Sequence, residues 1–417
     1  MPSTDGFDSR RAALQMLDSV LRRGTTLDGA AQSAQRLSPP DRALALAIAG
    51  ETLRRIPDID ALIDSATRQL LPDDAKARMV LRLALAQKLS MQVPDHAIVA
   101  TALPLVAGGP RRLVHGVLGT LLRRGLSPVD APRLPDPVEQ RWRASWGDEV
   151  VTAARRQIAR RPSLDLTFAD DMAAQAHAKA HGGQSLAPRH LRLPSSSVAD
   201  LAGFGEGGWW VQDLAASLPA RLIQAGAGDV LDLCAAPGGK TMQLAAAGHR
   251  VTSLDSSESR LGRLRANLDR THLAADLVTA DALTWSPERS FDAILLDAPC
   301  SATGTFRRHP EILYRARPQI IVDSAGFQQR LLGRAADWVK PGGVLVYSVC
   351  SLEIEEGEQR IAAFLAARPD FSIQPPTPDE LVPFVTPSDD GTVRILPGLL
   401  EAEGGLDGFF MARLVRG

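Results

Sequence analysis

The sequence predicts a multidomain chain in which an all-α bundle precedes an α/β domain built on a mostly parallel sheet. Three features carry that expectation: apolar residues spaced three and four apart through residues 8 to 125, a proline-rich break near residue 130, and strand-then-helix alternation after Gly205. A chain of 417 residues also exceeds what one hydrophobic core usually organises.

In the first part, RRAALQMLDSVLRR, PPDRALALAIAGETLRRI, IDALIDSATRQLL and AKARMVLRLALAQKLSM each put an apolar stripe on one helix face. Turn signals at Ser38-Pro39-Pro40, Leu71-Pro72-Asp73 and Gly108-Gly109-Pro110 separate them. The stretch LSPVDAPRLPDP lacks periodicity and reads as a linker. The expected boundaries are a helical domain at 1–130, a linker and small adaptor subdomain at 131–204, and a catalytic domain at 205–417. In that last part DVLDL, RVTSL, DLVTA, FDAILL and GGVLVYSV are short apolar strands alternating with helices, a pattern whose ligands bind beyond the carboxyl ends of the strands.

Composition excludes several classes. Hydrophobic residues make up 45% and charged residues 23%, and no apolar run is long enough for a membrane helix. With no signal-peptide pattern, the expectation is a soluble, cytoplasmic protein without a membrane partner. Cys234, Cys300 and Cys350 show no CxxC spacing, which argues against a disulfide framework or a zinc site, so no metal is expected. Net charge is −1, but the first third is mildly basic and almost every cation is arginine. Pairs such as Arg111 and Arg112, Arg123 and Arg124, or Arg155 and Arg156 suit either phosphate contacts or solvated helix faces. No heptad seam is visible, so a monomer is expected.

The sharpest local signal is DVLDLCAAPGGKT, residues 229 to 241, where a buried strand runs into a small-residue, double-glycine turn and then a helix. A Walker A loop would need glycine where Cys234 stands, so the stretch reads as a nucleotide-type loop of another kind. Asp255 ends the second strand 17 residues after Gly238, near the spacing at which an acid captures ribose hydroxyls. Asp281 ends the third, where a carboxylate suits an adenine amino group or a simple cap.

The fourth strand delivers Asp297, Pro299 and Cys300, and the fifth delivers Cys350, all at the ligand-binding edge. Two thiols facing a nucleotide cleft suit methylation of cytosine C5, which calls for a thiolate to add at C6. A carboxyl group at the ring N3 favours that addition, and Asp297 stands where one is needed. The chemistry leaves open which cysteine adds. The target base must be single-stranded or flipped out, and Arg307, Arg308 and His309 are expected beside its path.

These residues make the chain resemble the Sun or Fmu type of bacterial 16S ribosomal RNA cytosine-C5 methyltransferase, within the Nop/Sun family. The similar pieces are VQDLAAS at 211 to 217, DLCAAPGGKT, DAPCSATGTFRRHPE, YSVCSLEIEE and DGFFMARL at 407 to 414. The resemblance implies a Rossmann-like domain with a seven-stranded sheet that binds S-adenosylmethionine through Cys234, Ala235, Ala236, Pro237, Gly238, Gly239, Lys240, Asp255, Asp281 and Asp297. It makes Cys350 the nucleophile, lets Cys300 assist release, and keeps Asp297 in the catalytic set. The N-terminal helices are similar to the NusB-like RNA-binding domain of this subgroup, which implies ribosomal RNA as partner ahead of transfer RNA or a purely binding role. His115 and Gly119 depart from the family's usual segment there, and Val349 replaces the threonine that usually precedes the nucleophile.

Overall fold

The computed structural model describes residues 6–194, 198, 201–224, 226 and 228–417. It falls into two compact units, one of residues 1–160 with 306–316 and one of residues 161–305 with 317–417.

The first unit is helical. Its helices are α1 (Phe7–Arg23), α2 (Leu27–Ala31), α3 (Pro39–Ser65), α4 (Lys76–Met91), α5 (Asp95–Ala102), α6 (Gly108–Arg124) and α7 (Asp136–Ile158). Ser38 accepts from the Asp41 amide at 3.3 Å and the prolines at 39 and 40 need no intrahelical donor, so α3 starts there. The sequence suggested two helices across residues 39–65; the structure has one, running through Pro57. An internal proline costs about 3 kcal/mol. Ile48, Ile56, Ile59 and Ile63 are all buried along α3, and keeping that face continuous offsets the cost. They pack with Met16, Leu17, Leu81 and Leu85 in one core.

Several arginines serve this interior. Arg82 grips Asp60 with two bonds of 2.7 and 2.6 Å, and Arg78 pairs with Asp64, so α4 is tied to α3 by charge as well as by apolar contact. Arg111, Arg112, Arg123 and Arg124 of α6 are exposed. Helix α7 groups with this unit, whose first segment runs to residue 160. Its axis breaks at Gly147.

The second unit opens with β1 (Leu164–Phe168), α8 (Asp171–His181), β2 (His190–Leu193) and β3 (Trp209–Val211), three antiparallel strands in the order β2-β1-β3. Then follow α9 (Leu214–Arg221), β4 (Asp229–Leu233), α10 (Gly239–Ala246), β5 (Arg250–Asp255), α11 (Glu258–Thr271), β6 (Asp276–Thr279) and β7 (Phe291–Asp297). The short α12 (Ile312–Arg315) lies in the segment that belongs to the helical unit. The chain ends with α13 (Pro318–Trp338), β8 (Val339–Val349), α14 (Glu358–Ala367), β9 (Phe371–Ile373), β10 (Val393–Ile395) and β11 (Phe409–Arg416).

Seven strands form the main path, β10-β11-β8-β7-β4-β5-β6, and β9 adds an eighth beside β11. From β8 to β6 all neighbours are parallel, whereas β11 runs antiparallel to β8. The central strands are buried on both faces, by Leu231, Leu233, Ile294 and Leu296 on one side and Val230, Ala293, Leu295 and Val346 on the other. The order reverses beside β4, so the loops after β4, β5, β7 and β8 share one edge of the sheet.

Among the described residues, no helix is long and apolar enough to cross a membrane.

Candidate active site

Register brings the predicted residues together. Asp297 of β7 stands opposite Ser348 of β8, and Leu233 of β4 pairs with both Leu254 of β5 and Leu296 of β7. The residues that follow these partners therefore emerge side by side.

The loop after β4 begins at Cys234, whose φ of 60° turns the chain sharply away from the sheet. Ala235 and Ala236 are buried, and the Ala235 amide donates to Leu254 O at 3.1 Å. A cis bond joins Ala236 to Pro237. Gly238, at φ +108°, and Gly239 lead into α10; a Cβ on Gly238 would come 2.0 Å from Leu264 Cδ1, so only glycine lets the loop lie this close to α11. Burial, reinforced by the charges of Asp297, Asp255 and Asp232, pushes the Cys234 thiol up to about 12, so it stays protonated at neutral pH.

Lys240 leaves this loop to reach Asp297, with Nζ donating to Oδ2 at 2.8 Å, and lies over the Phe409 ring at 5.3 Å. Ser348 Oγ donates to the other oxygen of Asp297 at 2.9 Å. Asp255 is only 1% exposed; it accepts from the Ala236 and Ser257 amides and pairs with Arg260 at 3.2 Å. It thus holds the loops after β4 and β5 in place. Asp281 is exposed and caps its own turn, accepting from the Leu283 amide at 2.9 Å.

The two remaining cysteines face each other. Cys300 Sγ and Cys350 Sγ are 3.6 Å apart, although 50 residues separate them in the chain. The hydrogen-bonding contact with Cys350, and then burial, push the Cys300 thiol well above its ordinary range, so Cys300 carries a proton at neutral pH. The Gly304 amide donates to Cys350 O at 3.0 Å, and Gly408 donates to Gly304 O at 2.9 Å, which joins the DGFF stretch to both cysteine loops.

Two groups were missed in the sequence. Asp232 of β4 is fully buried, accepts from Thr241 Oγ1 at 2.6 Å, and keeps Oδ1 without a partner. The aspartate in DVLDL signalled it, but it read as part of an apolar strand. Glu356, inside LEIEEGE, was not singled out; it is fully buried and touches the serines that follow each cysteine. Arg307, expected beside the path of the base, is 2% exposed and held within the helical unit, where Arg54 donates to its carbonyl at 2.7 Å. Physically it is a packed residue and not a free cation.

Comparison with known proteins finds relatives for both parts of the chain. Residues 222–415 match the family described as 16S rRNA methyltransferase RsmB/F, and residues 8–123 match the NusB family. A protein named Ribosomal RNA small subunit methyltransferase B, from Xylella fastidiosa, is 35% identical over 82% of each chain. A protein of the same name from Klebsiella pneumoniae is 32% identical over 98% of each chain. A solved structure described as PH0851 covers 98% of both chains with a TM-score of 0.74 at 24% identity, a likeness of fold.

Proposed function

Because this chain belongs to the RsmB/F family of 16S rRNA methyltransferases, with a NusB-family helical domain ahead of the catalytic one, we propose that it methylates C5 of a cytosine in small-subunit ribosomal RNA through a covalent bond between Cys350 and C6. S-adenosylmethionine is the methyl donor, and when bound it supplies an electrophilic methyl group on a positively charged sulfur. The residues present fit that group. Asp232 Oδ1 is a buried acceptor with no partner, and Asp255 and Asp297 bring further negative charge to the same strand edge. Asp232, Asp255 and the loop from Cys234 to Lys240 would hold the donor, with Asp281 at the outer end.

The observation that carries the reading is the 3.6 Å approach of Cys300 to Cys350 at the edge where Lys240 meets Asp297. Cys350, as thiolate, forms a bond to C6 while the C5–C6 π pair moves onto C5. Asp297, oriented by Lys240 and Ser348, meets the base at N3; in its protonated form it donates a hydrogen bond that offsets the negative charge developing there and keeps its proton when the adduct breaks down. C5 takes the methyl group, then loses its proton to a base; the bond from C6 to Cys350 breaks and its electron pair leaves with sulfur. Cys300, a neutral thiol in contact with Cys350, supplies a proton to the sulfur of Cys350 as the C6–S bond breaks.

The test is a denaturing gel for a protein–RNA adduct, with methyl incorporation counted in parallel, on ribosomal RNA and a transfer RNA transcript. The expected result is that Cys300→Ala traps an adduct while Cys350→Ala neither traps nor methylates. Full activity in Cys350→Ala would remove it as the nucleophile, and preference for the transfer RNA would change the substrate.

A further inference from the structure

The two thiols come from loops after different strands, β7 and β8, and the adduct chemistry tolerates little error in their spacing. A misplacement of about 1 Å at a reacting group can cost about 10²-fold in rate. What fixes the spacing is visible one residue further along each loop. Ser301 and Ser351 follow the two cysteines, and both donate through their hydroxyls to Glu356 Oε2. The Ser301 amide donates to Glu356 Oε1 at 2.8 Å, and Gln328 Nε2 donates to the same oxygen at 3.1 Å while also holding Pro299 O at 2.9 Å. Glu356 is itself anchored, because Tyr347 OH donates to its carbonyl at 2.6 Å.

This arrangement is costly for mere stability. Glu356 is fully buried, and among the described residues its side chain meets neutral donors and no cation. Burial pushes its carboxyl up, and the serine, backbone and Gln328 donors work against that. A buried carboxyl group spanning the residues next to both thiols serves their placement.

We propose that Glu356 is a positioning residue whose carboxylate clamps Ser301 to Ser351 and so sets the distance between Cys300 and Cys350. The role in methyl transfer rests on the reading of Cys350 as nucleophile; the clamp itself does not. Glu356→Gln keeps the volume and one acceptor oxygen, whereas Glu356→Ala removes the clamp.

The experiment measures thiol spacing and catalysis separately in the full chain. Phenylarsine oxide exchanges its oxygen for two sulfurs, forming two As–S bonds and releasing one water that carries both thiol protons, so its retention reports how well the pair is held. Glu356→Ala should lose about tenfold in arsenical affinity and about 10²-fold in kcat, with both KM values nearly unchanged and Glu356→Gln in between. Melting curves establish that the variants are folded. If Glu356→Ala does not fold, the double variant Ser301→Ala with Ser351→Ala deletes both hydroxyl donors and must show the same loss. Wild-type arsenical affinity in either folded variant overturns the clamp. Should wild type fail to methylate any RNA, the cytosine reading falls, and the arsenical arm still decides the clamp.

Discussion

Lys240 Nζ donates to Asp297 Oδ2 at 2.8 Å, and this one bond joins the loop after β4 to the end of β7. It links the residues assigned to the methyl donor with those assigned to the base. Lys240→Met keeps the aliphatic stem over Phe409 but removes the charge that orients Asp297. Loss of one such preorganised group costs about 10² to 10³ in kcat, and that is the expected fall in methyl incorporation. Activity near that of wild type would take Lys240 out of the reaction.

Asp232 sets a pH dependence. Burial, with the negative Asp297 adding to it, pushes its carboxyl up to about 7 in the folded chain. Unfolded, it titrates near ~4. Between those values the folded state holds the extra proton, so stability falls as pH rises through the window, and the cost is complete above about 7. Asp232→Asn cannot ionise. Its melting temperature should exceed that of wild type by a margin that grows from pH ~4 to pH ~7 and then levels. It should also bind S-adenosylmethionine more weakly in calorimetry, since the free acceptor Oδ1 is altered. A margin independent of pH would mean that Asp232 is ionised throughout.

Gly304 has no room for a side chain. A Cβ there would lie 2.0 Å from Gly408 O, a backbone atom that cannot swing aside. Gly304→Ala should therefore push the DGFF stretch away and strain the amide bond to Cys350 O, costing ~1–3 kcal/mol in urea unfolding. Methylation should fall as well, because Gly304 lies in the loop that carries Cys300 and donates to Cys350 O. Unchanged stability would show that the approach is looser than these distances indicate.

Local chemistry made much of this site readable. The strand, double-glycine turn and helix of DVLDLCAAPGGKT need only neighbouring residues, and strand alternation places Asp297, Cys300 and Cys350 at one edge without knowledge of the packing. Glu356 was unreadable for a different reason. In LEIEEGE four glutamates follow one another with no local sign of which turn inward, and only the folded chain buries Glu353 and Glu356 while leaving Glu355 and Glu358 partly exposed. Asp232 hid in a similar way, since its burial depends on strands on both sides. The helical unit resisted at Pro57, where a local breaker is outweighed by buried isoleucines, and at residues 306–316, whose partners lie some 250 residues earlier in the chain.

That last segment supports a test on the helical unit alone. Tyr314 OH donates to Leu53 O at 2.8 Å, the Leu27 amide donates to Glu311 Oε1 at 3.1 Å, and the Phe306 ring meets Trp142 at 5.4 Å. Residues 1–160 expressed by themselves lose these partners and leave the Leu27 amide and buried apolar surface uncovered, at a cost of ~1–3 kcal/mol for the polar group alone. The fragment should melt below the full chain's helical transition. A peptide of residues 306–316 added in trans should raise its melting temperature, by the equivalent of ~2.7 kcal/mol at a hundredfold excess over Kd. The same peptide carrying Glu311→Ala should recover less, since it cannot accept from Leu27. If neither peptide moves the transition, the segment is held in place by its covalent connections and not by the pocket that receives it.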